Sequence, residues 1–505
     1  MKRTLLLTIA LILAAPQAVL YAQQKNELLA RDFWKPQPSV SQIEEKIKQG
    51  HSPTELNGSA FDPTAYAILE NNPIATIDFL LKQGNDLNKR THDERTYIFW
   101  AALRGNLDLM KHLLRQGART DVLDHSGTSL LMWCASTGQT NTDIYEFCIN
   151  NGFDISKEKD RNGRNVALSF SRRMEDFELL DYFISKGVDI HDTNKDGNGL
   201  FHFAAQAGNL DILKKLVTDY KVSTATNLNT NENAFHFASY KRVGNDEPSQ
   251  LPLYKYLKTL GLNPGLVSHK GRTVLHNIAY YSNDTEVIDY LIKEGADANE
   301  VDENGNTALI NAALRGSKEK VAALLAHTHD INLTNKEGLS AMTRAIRSNS
   351  LEVVELLAAK GAETGIVDKA GYDLGYHLVQ GTRNNLKLFD QKMAFLKARG
   401  YKPSSLQKDR STLLHAAIDR GNVALIKRLV ELGVDINAKD SNGQTILHYA
   451  AMQAKNDDLL KMLLQEGADK RIKTEFDESA YDLASENELL RANKIDFEFL
   501  KTTEQ

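Results

Sequence analysis

The apolar positions of this chain come in short bursts at helical spacing. In "GNTALINAALRG" (305–316), Leu309, Ala312 and Ala313 fall three or one apart, on one face of a short helix. In "EKVAALLA" (319–326), Val321, Leu324 and Leu325 do the same for a second helix. Gly305 supplies the positive φ of a turn before the first helix, and Thr307 is placed to cap it. In sister segments a glycine after the second helix stops it in a left-handed turn. The predicted unit is therefore a turn, a short helix, a tight connection, a second helix and a glycine stop.

The unit recurs along the chain. Its first half reads "GNGLFHFAAQAG" (197–208), "GRTVLHNIAYYS" (271–282), "STLLHAAIDRG" (411–421) and "GQTILHYAAMQA" (443–454). Its second half reads "LLRQGARTD" (113–121), "LIKEGADAN" (291–299) and "LVELGVDIN" (429–437). The copies follow one another at roughly 33 residues, and the pattern resembles the ankyrin repeat. The resemblance implies an all-α, ankyrin-repeat solenoid of stacked helix-turn-helix units with short β-turn or hairpin tips, about a dozen repeats plus caps. One such hairpin cannot bury its apolar face alone, so stability must be a sum over units and their interfaces. The expected organisation is a signal peptide (1–22), an N-terminal leader and capping helix (23–57), the repeat array (58–473) and a C-terminal capping repeat (474–505). Longer spacings mark insertions between first and second helices at 136–143, 241–252 and 380–391.

Composition narrows the function classes. The chain has 505 residues, 42% hydrophobic and 25% charged, with a net charge of -5. This is a globular composition, and no lysine or arginine block of the kind that tracks phosphates stands out, which argues against nucleic acid. The amino terminus differs from the rest. Lys2 and Arg3 precede an apolar run from Thr4 to Ala15, Pro16 breaks it, and Ala22 precedes Gln23. This reads as a secretory signal peptide, and the run is shorter than the roughly 20 residues that span a bilayer. The mature chain is expected to be periplasmic or secreted, monomeric and without a membrane span.

Each candidate for chemistry meets a structural alternative. His202, His236, His276, His415 and His448 share one place in the unit. The resemblance implies that they bond to neighbouring turns and help units stack, rather than forming a metal or haem ladder. Cys134 and Cys148 fall in one unit at interior positions. Export permits a disulfide between them, and packing as buried free thiols is the other reading. His327 and His329 flank Thr328, which stands where glycine should end the helix. They are weak metal candidates without an evident third ligand. Thr328 predicts a poorly capped helix that a glycine would improve.

The place after the motif histidine holds Trp100, Trp133, Phe203 and Phe237, and elsewhere Asn277, Asn311 and Arg344. These aromatics either pack between units or line the concave helix face that the resemblance implies. Leu103, Arg104, Tyr240, Lys241, Tyr280, Tyr281, Leu314 and Arg315 follow the alanine pair, at places that commonly face the ligand in ankyrin arrays. Signatures such as G-x-S-x-G, a phosphate loop or H-E-x-x-H are absent from the sequence. The sequence thus points to an exported protein-binding scaffold, acting through its concave helix face and turn tips, without catalysis or a cofactor. A second reading is an accessory protein handling haem or a metal for a periplasmic enzyme such as a catalase. It rests on the association of some exported bacterial ankyrin proteins with oxidative-stress functions. A secreted effector acting on a host is a third.

Overall fold

The computed structural model describes residues 25–242, 248–418 and 421–502. The expected signal peptide lies outside them, as does the centre of the insertion at 241–252. Among the described residues the regular structure is helical, and strand pairing is confined to isolated bridges such as Thr193 with Gly199 and Val367 with Asp373. These bridges sit at turn tips, where the sequence places short hairpins.

The chain divides into two compact units. One runs to Ala207 and includes Asp211–Ser223. The other holds Gly208–Leu210 and everything from Thr224 onward. Each is a stack of helix pairs. In the first unit the pairs include Tyr97–Leu103 with Leu107–Arg115 and Leu130–Thr137 with Thr142–Asn150. In the second they include Val274–Tyr281 with Thr285–Lys293, Ala308–Arg315 with Lys318–Leu325, and Ala341–Ser348 with Leu351–Ala359.

The local physics follows the sequence closely. Thr307 Oγ1 accepts the Ile310 N–H at 3.3 Å and caps its helix. Leu309, Ala312 and Ala313 are buried, as are Val321 and Leu324 on the second helix. Each fully buried leucine of this kind contributes about 2 kcal/mol of apolar burial. The small alanines let first helices pack closely.

Neighbouring repeats are tied at three levels. At the tips, backbone bonds run from one turn to the next: Glu303 N–H to Lys270 O at 2.8 Å, Lys336 N–H to Asn304 O at 2.8 Å, Lys369 N–H to Glu337 O at 3.0 Å. Gly338 is needed there, because its φ is +83° and a Cβ would lie 2.6 Å from the Lys369 nitrogen. Below the tips stand the motif histidines. Thr273 N–H donates to His276 Nδ1 at 3.1 Å, which leaves the proton on Nε2 to donate to Asn306 O at 2.9 Å. His415 reaches Gln444 O at 3.1 Å and His448 reaches Ile472 O at 3.1 Å in the same way. The stacking role implied for the motif histidines is carried by His236, His276, His415 and His448.

The third tie is invisible in the repeat pattern. Carbonyls left open at the end of a first helix are met by a side chain from the following repeat. Asn349 Nδ2 donates to Ala313 O at 3.0 Å and Gly316 O at 3.1 Å. Asn487 does so to Ala451 O and Ala454 O, both at 2.9 Å. Lys320 takes this role with a buried ammonium, donating to Ala279 O and Ser282 O at 2.7 Å each. Lys392 donates to Ala345 O at 3.1 Å and Ile346 O at 2.8 Å. Burial pushes both lysines down to about 8.

Short helices lie near both ends of the described residues. Near the amino terminus, Glu27–Leu29 and Arg31–Trp34 form short helices with Trp34 fully buried, its Nε1 donating to Leu28 O at 2.9 Å. The second helix Val40–Lys48 carries a full capping box at Ser39 and Gln42. Near the carboxyl terminus, Ala480–Glu486 and Glu488–Ala492 pack with Leu500 buried beside them. The insertion at 380–391 is partly absorbed into a longer second helix, Leu386–Lys397.

One expectation is corrected here, and one open alternative is decided. Thr328 does not occupy a left-handed turn. It is absent from the positive-φ positions, and its Oγ1 donates to Leu324 O at 3.0 Å. The helix ends through this side-chain bond and through Asn299, which accepts from His329 N and donates to His327 O. Cys134 and Cys148 are unbonded thiols, both fully buried. The hydrogen bond with Cys148, followed by burial, pushes the Cys134 thiol well up. The packed-thiol reading therefore describes them, and the disulfide is not formed.

Candidate binding face

The places after the alanine pair fall at the ends of the first helices, where side chains are partly or fully exposed. In the second unit they assemble into one string. Tyr240 and Tyr281 meet at 5.8 Å between ring centroids, and Tyr280 and Tyr281 at 5.0 Å, both edge to face. The Arg315 guanidinium lies 5.9 Å from the Tyr280 ring centre. Tyr280 is 42% exposed. Tyr281, Leu314 and Lys241 are half-buried, and Arg315 is exposed.

Beside this string is a cavity of about 360 Å³. Tyr280, Tyr281 and Leu314 line it, together with Arg272, Asn277 and Arg344. Arg272 reaches Glu303 at 3.6 Å. Asp302 accepts the backbone N–H groups of Asn304 and Asn306 at 2.9 Å each, inside its own turn. Arg344 is half-buried, and burial pushes its guanidinium down. Asn277 Nδ2 donates to Ser239 Oγ at 3.0 Å, which fixes the cavity's edge. A wall of aromatic rings, amides and guanidinia suits an adaptable, partly polar contact with a protein surface.

In the first unit the candidates form a second cluster. Trp133 is half-buried, with the Arg95 guanidinium 3.8 Å from its ring centre and Trp100 edge-on at 6.2 Å. Leu103 is half-buried and Arg104 exposed.

Three aromatics leave the set. Trp100 is 3% exposed, Phe203 8% and Phe237 7%, so they pack between helices instead of offering a surface. Trp100 also spends its Nε1–H on Thr91 Oγ1 at 2.8 Å. At this place in the unit these three rings are covered, whereas Trp133 and Arg344 keep part of their surface and Arg344 lines the cavity. His327 and His329 are exposed on a turn, and among the described residues no cluster of three histidine, cysteine or carboxylate groups could hold a metal. Sequence reasoning missed Arg272, which lines this cavity, and Arg347 and Arg383, which line a second cavity of the same unit. Their signal was present as arginines in or beside first helices, but no motif marks them.

A stack of two-helix repeats, tied through threonine, histidine and tip-to-tip bonds, defines a helical repeat protein of the binding kind. The chain belongs to the ankyrin repeat family: models described as ankyrin repeats match residues 64–160, 166–217, 243–335, 275–368 and 384–474. It is 29% identical over 184 residues to the nuclear factor NF-kappa-B p105 subunit of Gallus gallus, covering 36% of this chain and 15% of that protein. It is 28% identical over 398 residues to the transient receptor potential cation channel subfamily A member 1 of Homo sapiens, covering 76% of this chain and 34% of the channel. A putative ankyrin repeat protein of Rickettsia felis is 23% identical over 307 residues, covering 59% of this chain and 73% of that protein. The human ASB11 ankyrin repeat domain aligns with a TM-score of 0.38 at 23% identity, over 46% of this chain and 100% of that one. The first two relatives are matched over only a minor part of their length. Among the described residues no helix is long and apolar enough to cross a membrane.

Proposed function

We propose that the protein is a non-catalytic scaffold that holds a protein partner against the first-helix ends of its second unit. The observation that carries this reading is the tyrosine string beside a polar cavity, where Tyr280, Tyr281, Leu314 and Arg315 stay partly or fully accessible. Tyrosine and arginine offer large contact area with directed hydrogen bonds, and they are the residue types that concentrate binding energy at interfaces. The scaffold works after export, a reading supported by Lys2, Arg3 and the apolar run that follows them. The test is affinity capture from the native envelope with the intact mature chain and a Tyr280→Ser, Tyr281→Ser, Leu314→Asp variant of equal thermal stability. Loss of the specifically captured protein is expected. An unchanged captured set would show that the partner binds elsewhere.

A further inference from the structure

A second cavity, of about 540 Å³, adjoins the first along the same helices. Leu314 lines one and Arg315 the other. Arg344 lines one and Arg347, three residues on and hence on the same helix face, the other. Its lining includes Arg315, Arg347, Arg383 and Lys392, and none of its lining residues is acidic. Among the described residues, no carboxylate pairs with any of the three guanidinia, although the chain carries 66 acidic residues against 61 basic ones. Lys392 lies at the wall, its ammonium held by backbone carbonyls alone.

The close packing that shapes this cavity is built in. A Cβ on Gly381 would fall 1.7 Å from the Arg347 carbonyl oxygen, so only glycine lets the two first helices approach this far. The residues that follow Gly381 belong to the insertion at 380–391, and they bring Arg383, Asn385 and Leu388 to the rim. The insertion is thus placed at the cavity rather than on an unrelated edge.

We infer that this cavity receives an acidic segment of the partner, with carboxylates meeting Arg315, Arg347 and Arg383 in turn. The inference rests on the scaffold reading and names the chemistry of what is held. Guanidinium forks match carboxylates in geometry as well as charge. Size decides between a single anion and a segment. Arg315 and Arg347 lie on successive first helices and Arg383 lies just beyond the next. With packed helices about 8–10 Å apart, the three span roughly 20 Å. An extended chain covers that in about six residues. One inorganic anion can satisfy only one part of the row.

The test uses the mature chain and fluorescence anisotropy with labelled nine-residue peptides. One is rich in Glu and Asp around a central leucine, and its counterpart has every acid replaced by lysine. Inorganic phosphate is the competitor. The acidic peptide is expected to bind and the lysine peptide not to. The R347E/R383E variant, matched in thermal stability, should weaken binding by at least about tenfold, and added salt should weaken it severalfold. Absence of binding up to about 1 mM peptide, or equal binding by the variant, would overturn the assignment. So would phosphate displacing the peptide at a concentration no higher than the peptide's own, which would mark a small-anion pocket. Partner capture that survives R347E/R383E but fails with the tyrosine substitutions would remove this inference and leave the scaffold standing.

Discussion

Thr328 stands where sister repeats carry Gly295, Gly361 and Gly433, whose φ values are +103°, +95° and +80°. From sequence the position reads as a defect. In the structure the threonine keeps an ordinary φ and closes the helix through its hydroxyl, so the local logic is reversed. Glycine there would lose that bond and gain freedom in the unfolded chain. Thr328→Gly is expected to lower stability by about 1 kcal/mol, read as a drop in thermal midpoint. A rise would show that the helix prefers a left-handed end. The motif histidines carry a second residue-scale consequence. Burial pushes His236 down to about 4, well below the ordinary 6.5. A folded-state value below the unfolded one means that stability is full above about pH 6.5 and falls away as pH drops towards 4. The shift corresponds to about 3 kcal/mol. Urea unfolding of His236→Asn should show a lower stability at pH 7 than the parent but a shallower loss between pH 6.5 and 4. An identical acid slope in both would mean that His236 is not held neutral.

At the scale of elements, much was legible because the repeat puts the same physics in the same place many times. Helix pairs, caps, tip hairpins and the histidine ties all follow from residue type and period. What was not legible depends on which neighbour lies above a position. Trp100, Phe203 and Phe237 share a repeat position with Arg344, yet the rings are covered and the arginine is not. Nor could spacing show that Asn349, Lys320 and Lys392 would cross from one repeat to the carbonyls of another, since the partners are 33 to 47 residues away. The arginines of the second cavity escaped for the same reason: they converge only after stacking. Gly381 gives this scale its own test. Gly381→Ala must push apart the helices that it joins to Arg347, and overpacking of this kind costs about 1–3 kcal/mol. Chemical unfolding should register that loss, and acidic-peptide binding should weaken with it. A variant as stable as the parent would mean that the helices are not in contact there.

For the whole molecule, the proposed function assigns binding and stacking to different side chains of the repeat. Tips, histidines and amide hooks hold the stack, and in the proposed function the side chains left exposed at the ends of the first helices bind. In the second unit this leaves a tyrosine string, a polar cavity and a cationic cavity side by side. The second helices offer the opposite choice of face. The most direct test places a photo-crosslinking phenylalanine analogue at Tyr281, on a first helix, and separately at Tyr290, on the second helix of the same repeat. After irradiation in the native envelope, a discrete adduct is expected from position 281 and none from 290. An adduct from 290 alone would place the partner on the other face and contradict the binding surface described above.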